Sequence, residues 1–134
     1  MVPFHWPVRV YWEDTDAGGV VYYANYLKFM ERARSEWLRA LGFEQDVLRD
    51  EVGVVFVVRR VEIDYLSPAR FNDQLDVSVS LHQVGRASLS VQQVLGRGPT
   101  RLVSAQVTLA CVDAVRFKPV KIPATFLQAL TPAT

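Results

Sequence analysis

The sequence predicts an α+β fold in which one long helix packs on a curved antiparallel sheet of about five strands. Two observations predict it: hydrophobic residues at helical spacing occur in one long stretch near the start, and strand-like runs fill most of the remaining chain. Half of the 134 residues are hydrophobic, which suits a single domain over residues 1–134 with one core.

The first half of the chain predicts a strand, a turn and the long helix. Residues 8–12 are apolar and aromatic and predict the first strand, which Pro7 separates from the N-terminus. A polar turn is expected at residues 13–19. Apolar residues at three- and four-residue steps predict a helix over residues 23–41, closed by Gly42 as a C-cap glycine. A short helical turn is expected over residues 44–51, ending near Gly53.

The second half predicts strands joined by hairpins. The strand-like runs are residues 54–66, 74–84, 87–95 and 101–112. Glycine-containing segments at residues 85–86 and 96–100 predict hairpin connections, so the strands are expected to be antiparallel. Residues 115–118 are expected to be extended, and Pro123 to open a last helical turn through Leu130.

The run at residues 54–58 is apolar at every position, so both of its faces require burial. A single helix covers only one face of a sheet. The sequence therefore predicts a homo-oligomer in which a second copy covers the rest.

Composition and charge argue against several kinds of partner. Fifteen Lys and Arg offset fourteen Asp and Glu, and the two signs are interspersed, so no nucleic-acid surface is predicted. A lone Cys111 forms no intramolecular disulfide, and with only two histidines no metal site is predicted. The N-terminus lacks a basic leader with an apolar core, and no stretch approaches the ~20 apolar residues of a membrane span, so a cytoplasmic protein is expected.

The turn before the helix is the candidate for chemistry, because Glu13, Asp14, Thr15 and Asp16 crowd it. One interpretation is structural: Asp14, Thr15 or Asp16 caps the helix or closes an Asx-turn. The other is catalytic. A carboxylate before a helix N-terminus, where unpaired N–H groups point outward, can attack a thioester carbonyl or activate water while those N–H groups hold the oxyanion.

The remaining candidates are weaker. His5 lies beside Trp6 and Pro7 at an end expected to fray, and His82 is expected to be an ordinary surface histidine. Cys111 lies in an alternating strand-like run and predicts a buried structural thiol. No Gly-x-Ser-x-Gly motif is present.

Residues 10–27, VYWEDTDAGGVVYYANYL, resemble the 4-hydroxybenzoyl-CoA thioesterase family. The closest resemblance is to its bacterial acyl-CoA thioesterases associated with the Tol-Pal envelope system. The match covers essentially the whole chain. It continues through residues 31–36, 56–59, 65–70, 111–113 and 118–119.

This resemblance implies a hotdog fold, a long central helix wrapped by an antiparallel sheet, assembled as dimers or as dimers of dimers (homotetramers). It implies hydrolysis of an acyl-CoA without metal or cofactor, at a site between subunits, with Asp16 as nucleophile or general base. The backbone N–H of Tyr23 would polarise the thioester carbonyl; the Tol-Pal branch usually has His at this position. The resemblance implies further substrate contacts at Gly18, Gly19, Val20, Phe56, Arg86 and Ser88, the last two toward the nucleotide end.

Other functions stay open from the sequence. Acyl carrier protein is an alternative carrier of the acyl group. A non-catalytic module that binds acyl-CoA or acyl carrier protein in the cell-envelope system is the main alternative to an enzyme. A hotdog dehydratase ranks last, because neither His5 nor His82 lies just before the central helix.

Overall fold

The computed structural model describes residues 2–130, which form a five-stranded sheet with a long helix against it. The elements in chain order are β1 (Phe4–Arg9), α1 (Asn25–Ala40), α2 (Gln45–Val47, continued by a π-helical turn over Leu48–Val52), β2 (Val54–Tyr65), β3 (Gln74–Val84), β4 (Ser88–Arg97), β5 (Thr100–Asp113) and α3 (Ala124–Leu130). Every neighbouring strand pair is antiparallel. The predicted fold class is confirmed, including the four strands that come after the helix.

The strand order across the sheet is β1–β3–β4–β5–β2. The two predicted hairpins join β3 to β4 and β4 to β5. β2 does not pair with β3, its successor in the chain, but with β5, and β1 takes the place beside β3. Both β1 and β2 are therefore edge strands within the described chain, and one side of each leaves its backbone groups without a strand partner.

The first strand lies earlier than predicted. Instead of residues 8–12, β1 contains Pro7, which pairs with Asp76 of β3. An edge strand tolerates proline where the missing N–H faces away from the neighbouring strand. Trp12 opens a 3₁₀ turn. His5, expected at a frayed end, lies inside β1, and its Nδ1 is 2.7 Å from the Asp76 carboxylate.

Helix α1 starts two residues later and ends one residue earlier than predicted. Its buried face packs against β1 and β3 and consists of Tyr26, Phe29, Met30, Ala33, Trp37 and Leu38. Gly42 lies just beyond it with a φ of +95°, so the predicted C-cap glycine is confirmed. No helix within residues 2–130 is long and apolar enough to cross a membrane.

The segment after β5 is a turn, so the prediction of an extended run at residues 115–118 is wrong. Asp113 Oδ1 accepts hydrogen bonds from the N–H groups of Val115 and Arg116, both at 2.8 Å. These local bonds offer the backbone an alternative to a strand. Phe117 has a φ of +56°, which closes the turn. The last helix, α3, forms where it is predicted.

Candidate active site

Asp16 lies in a tight turn between β1 and α1. Its N–H donates to the carbonyl of Val20 at 2.9 Å, and its own carbonyl accepts from the N–H of Gly19 at 3.0 Å. The Asp16 Oδ1 atom accepts from the N–H of Gly18 at 2.8 Å. The carboxylate is thereby fixed to its own turn as an Asx-turn, one of the structural roles that the sequence allows.

Both glycines suit this geometry, Gly19 more strictly than Gly18. A Cβ atom on Gly18 would lie 3.2 Å from Asp16 Oδ1. Gly19 has a φ of +80°, which residues with a side chain rarely adopt. The pair therefore lets the chain reverse while one oxygen of the carboxylate stays bound.

The acidic and hydroxyl neighbours of Asp16 do not cap α1. The Asp14 side chain accepts the N–H of Tyr11 at 2.8 Å, and the Thr15 hydroxyl donates to the carbonyl of Trp12 at 2.7 Å. Helix α1 begins after Ala24, without a side-chain cap. These residues therefore stabilise the turn itself, and the predicted cap on the long helix is absent from the described chain.

The other carboxylate oxygen of Asp16 has no hydrogen-bond or ion-pair partner among residues 2–130. Asp16 is exposed, and five clefts on the surface of the described chain are lined by other residues. A catalytic role predicts a cavity beside this carboxylate. The single chain instead presents the free oxygen on an open surface.

Tyr23 comes directly after the short segment that pairs with the Asp16 turn. Thr15 forms an antiparallel bridge with Val21, and the N–H of Tyr22 donates to the carbonyl of Asp14 at 2.9 Å. The N–H of Tyr23 donates no backbone hydrogen bond within residues 2–130. The predicted helix includes Tyr23, whereas the observed α1 begins two residues later, at Asn25. Tyr23 therefore lies just before the helix, next to its partially positive end.

Side chains that the sequence does not single out hold this arrangement in place. The Tyr65 hydroxyl donates to the carbonyl of Tyr23 at 3.2 Å, and the Asn25 side-chain amide donates to the carbonyl of Asp14 at 2.9 Å. The Tyr26 hydroxyl accepts the N–H of Ala69 at 2.9 Å. All four residues lie in stretches that resemble the thioesterase family, residues 10–27 and 65–70, which is the signal that could have identified them.

Burial raises the pKa of the Tyr26 hydroxyl, so it stays protonated near neutral pH. The Ala69 carbonyl in turn accepts the N–H of Val21 at 2.9 Å. Ala69, in the segment after β2, is thus hydrogen-bonded to Val21 before Tyr23 and to Tyr26 after it. A neutral hydroxyl and two backbone bonds therefore support the candidate oxyanion donor.

The predicted site residues fall into two groups at opposite ends of the sheet. Gly18, Gly19 and Val20 lie with Asp16 and Tyr23, and Val20 also bridges to Arg70. The second group is at the other end and consists of Phe56, Arg86 and Ser88.

The separation is a consequence of the strand register. Ser88 pairs with Ala110, and Ala110 pairs with Val57, the neighbour of Phe56. Phe56 is nine residues along β2 from Tyr65, or about 30 Å at ~3.3 Å per residue. An acyl group bound at Asp16 therefore lies far from Phe56, Arg86 and Ser88 of the same chain.

The remaining candidates have structural explanations. Cys111 is buried in β5, and burial raises the pKa of its thiol. His82 is exposed on β3, as predicted. Residues 2–130 contain no group of three or more His, Cys, Asp or Glu side chains that could hold a metal ion.

The chain is similar to proteins with curated names over most of its length. It is 48% identical to an acyl-CoA thioesterase, YbgC, of Haemophilus influenzae, covering 90% of this chain and 88% of that protein. It is 45% identical to an acyl-CoA thioester hydrolase, YbgC, of Escherichia coli O6:H1, covering 90% of each.

Solved structures share the fold. A probable thioesterase from Bartonella henselae superposes with a TM-score of 0.88 at 36% identity, covering 91% of this chain and 100% of that one. This match confirms the hotdog fold. Residues 10–130 match the thioesterase-like superfamily, and the chain belongs to that superfamily.

Proposed function

We propose that this protein hydrolyses acyl-CoA thioesters to a free acid and CoA, with Asp16 as the catalytic carboxylate. The proposal is supported by two groups in the segment between β1 and α1: a carboxylate oxygen of Asp16 without a partner, and a Tyr23 N–H that donates no backbone hydrogen bond. The curated relatives named as acyl-CoA thioesterases support the substrate class.

The chemistry needs two groups. The Tyr23 N–H stabilises the oxyanion that forms when the thioester carbonyl becomes tetrahedral; one such donor is worth roughly 3–4 kcal/mol in a known oxyanion hole. As a general base, Asp16 takes a proton from water, the hydroxide adds to the carbonyl carbon, and the C–S bond breaks to release the thiolate. As a nucleophile, Asp16 forms a mixed anhydride that water then hydrolyses. The free Asp16 oxygen serves either route.

We further propose that the active unit is a dimer, or a dimer of dimers, whose two chains pair through the edge strand β2. Val58 on this strand is 50% exposed although it is apolar. In a two-fold antiparallel pairing centred near residue 60, the Phe56 end of one strand lies beside the Tyr65 end of the other. Phe56, Arg86 and Ser88 of one chain would then approach the Asp16 turn of its partner, which resolves their separation within one chain.

The narrower parts of the proposal come from the resemblance at residues 10–27. It supports an association with the Tol-Pal envelope system, membership in the 4-hydroxybenzoyl-CoA thioesterase family, and acyl carrier protein as an alternative carrier. A cytoplasmic location is also proposed, in keeping with Cys111 as a free thiol. Tyr23 stands where the Tol-Pal branch usually has His, and a backbone donor tolerates this change.

The experiment that tests the function is a panel of CoA thioesters with short, long and aromatic acyl groups. The purified protein is expected to release CoA, measured with a thiol-trapping dye, from at least one class with multiple turnovers. Binding of the thioesters without release of CoA would refute hydrolysis and favour the non-catalytic binding module.

A further inference from the structure

A cavity of about 210 Å³ lies between α1 and the edge strand β2, away from the Asp16 turn of the same chain. Its lining combines apolar walls with three side chains that carry hydrogen-bond donors, Arg34, Trp37 and Gln45, and the Gln45 amide already donates to Ser35 Oγ at 3.3 Å. The apolar walls are Leu38, Phe56, Val58 and Leu109. Such a combination is typical of a pocket that takes an apolar chain with a polar end.

The Arg34 guanidinium is held in the cavity by a neutral partner. Its Nη1 donates to Gln93 Oε1 at 3.0 Å. Gln93 is completely buried, and its amide nitrogen donates to the carbonyls of Met30 and Ser78 at 3.1 and 3.4 Å. Arg34 forms no ion pair with any carboxylate of residues 2–130. A half-buried positive charge therefore lacks a directly bonded counter-charge.

Trp37 supplies a second, independent observation. It lies one helical turn from Arg34, and its side chain is 2% exposed. Its Nε1 is the one buried side-chain nitrogen or oxygen of the described residues that has no hydrogen-bond partner. Buried donors are nearly always paired, so this N–H is an unmet donor on a residue that lines the cavity.

Glu31 is the one carboxylate that lines the cavity, and its position limits what it can do. It is exposed and forms no ion pair with Arg34, although its charge raises the pKa of the guanidinium against the stronger lowering effect of burial. The negative charge of Glu31 therefore weakens the binding of an anion in the cavity, but Glu31 does not itself occupy the place of an anion beside Arg34.

We propose that this cavity binds the far end of the acyl group and selects acyl groups that end in a carboxylate. The carboxylate would accept hydrogen bonds from Arg34 and Trp37, while the methylene carbons pack against Phe56 and Leu109. This inference rests on the proposed function. The proposed β2 pairing brings the cavity of one chain toward the Asp16 turn of its partner, because Phe56 would then lie beside Tyr65.

The test uses matched pairs of thioesters that differ in a terminal carboxylate against a methyl group. The pairs are malonyl- and propionyl-CoA, succinyl- and butyryl-CoA, glutaryl- and valeryl-CoA, and adipyl- and hexanoyl-CoA. Binding to the Asp16→Asn protein is measured by calorimetry, so the result does not depend on turnover. The carboxylate member is expected to bind about tenfold more tightly in at least one pair.

Variants separate recognition from stability. Trp37→Phe keeps an aromatic ring and removes the N–H, and it is expected to reduce the preference about threefold. Arg34→Met should abolish the preference, Arg34→Lys should restore part of it, and Glu31→Gln should increase it. Circular dichroism melting checks the fold of each variant, and Trp37→Phe keeps the test valid if Arg34→Met fails to fold.

Equal binding within every pair, or a preference that survives both Arg34→Met and Trp37→Phe, would overturn the inference. Failure of the proposed function has a different signature. In that case the protein with Asp16 intact releases no CoA, whereas the carboxylate preference in binding persists.

Discussion

The Tyr65 hydroxyl donates a hydrogen bond to the Tyr23 carbonyl at 3.2 Å and so ties the end of β2 to the turn before α1. The two residues are far apart in sequence, and the bond orients the peptide next to the unpaired Tyr23 N–H. A side chain on one edge of the sheet therefore helps to aim the donor that we assign to the oxyanion.

Tyr65→Phe removes this bond and leaves the ring. We expect kcat to fall about fivefold, in keeping with roughly 1 kcal/mol for one hydrogen bond, because the Tyr23 peptide loses its orientation. KM should change less than kcat, and the melting temperature should stay nearly constant. Steady-state kinetics on the best CoA thioester measure kcat and KM separately. A loss confined to KM would assign Tyr65 to substrate binding instead.

Two glycines with positive φ, Gly19 and Gly42, provide a test of the Asp16 turn and its control. Gly19→Ala forces a side chain to a φ of +80°, and Gly42→Ala imposes similar strain at +95° at the far end of α1. Each should lower the free energy of unfolding by about 1 kcal/mol, measured by urea denaturation. Only Gly19→Ala should also lower kcat, because only that glycine shapes the turn around Asp16. Equal effects of the two changes on kcat would mean that the turn geometry is not specifically required.

The β2 pairing makes a prediction about assembly. The chain of 15.2 kDa is expected to elute as a dimer or a dimer of dimers in size-exclusion chromatography with light scattering. Val58→Asp places charge on the edge strand and should shift the protein toward the monomer, with loss of hydrolysis. Val115→Asp, at a position that is 87% exposed on the turn after β5, is the matched control and should not change the mass. A monomeric parent protein would contradict the pairing.

How far the sequence predicts the structure depends on whether local pattern decides the conformation. Helix α1 and strands β3, β4 and β5 have regular apolar spacing and glycine-containing turns, and they lie within two residues of the predictions. The predicted position of β1 is wrong because proline commonly marks a strand boundary, whereas this edge strand accepts Pro7. The turn at Val115 depends on a side-chain oxygen of Asp113, which apolar spacing does not report.

In the candidate site, too, the features set by neighbouring residues could be predicted and those set by distant residues could not. Asp16, Gly18 and Gly19 are neighbours in sequence, so their association could be predicted. The role of Tyr65 depends on β2 crossing to the far edge of the sheet, a pairing between distant segments that no local pattern specifies. The distance of Phe56 from Asp16 is likewise a consequence of strand order.

The buried thiol gives a prediction about pH. Burial raises the pKa of Cys111, so less thiolate is present at a given pH in the folded protein than in the unfolded chain. Labelling of the native protein with a disulfide reagent should therefore begin at higher pH than labelling in urea. Cys111→Ser should retain hydrolysis, since the thiol takes no part in it. Rapid labelling of native protein at pH 7 would contradict the assignment of Cys111 as a structural residue.

The most direct measurement compares Asp16→Asn with Glu13→Gln in the same turn. Glu13 is exposed and its side chain makes no hydrogen bond or ion pair with the rest of residues 2–130, so it is a matched loss of one negative charge. We expect Asp16→Asn to lower the rate of CoA release by two or more orders of magnitude with an unchanged melting curve, and Glu13→Gln to leave the rate within a factor of two. Full turnover by folded Asp16→Asn protein would contradict the catalytic role of Asp16.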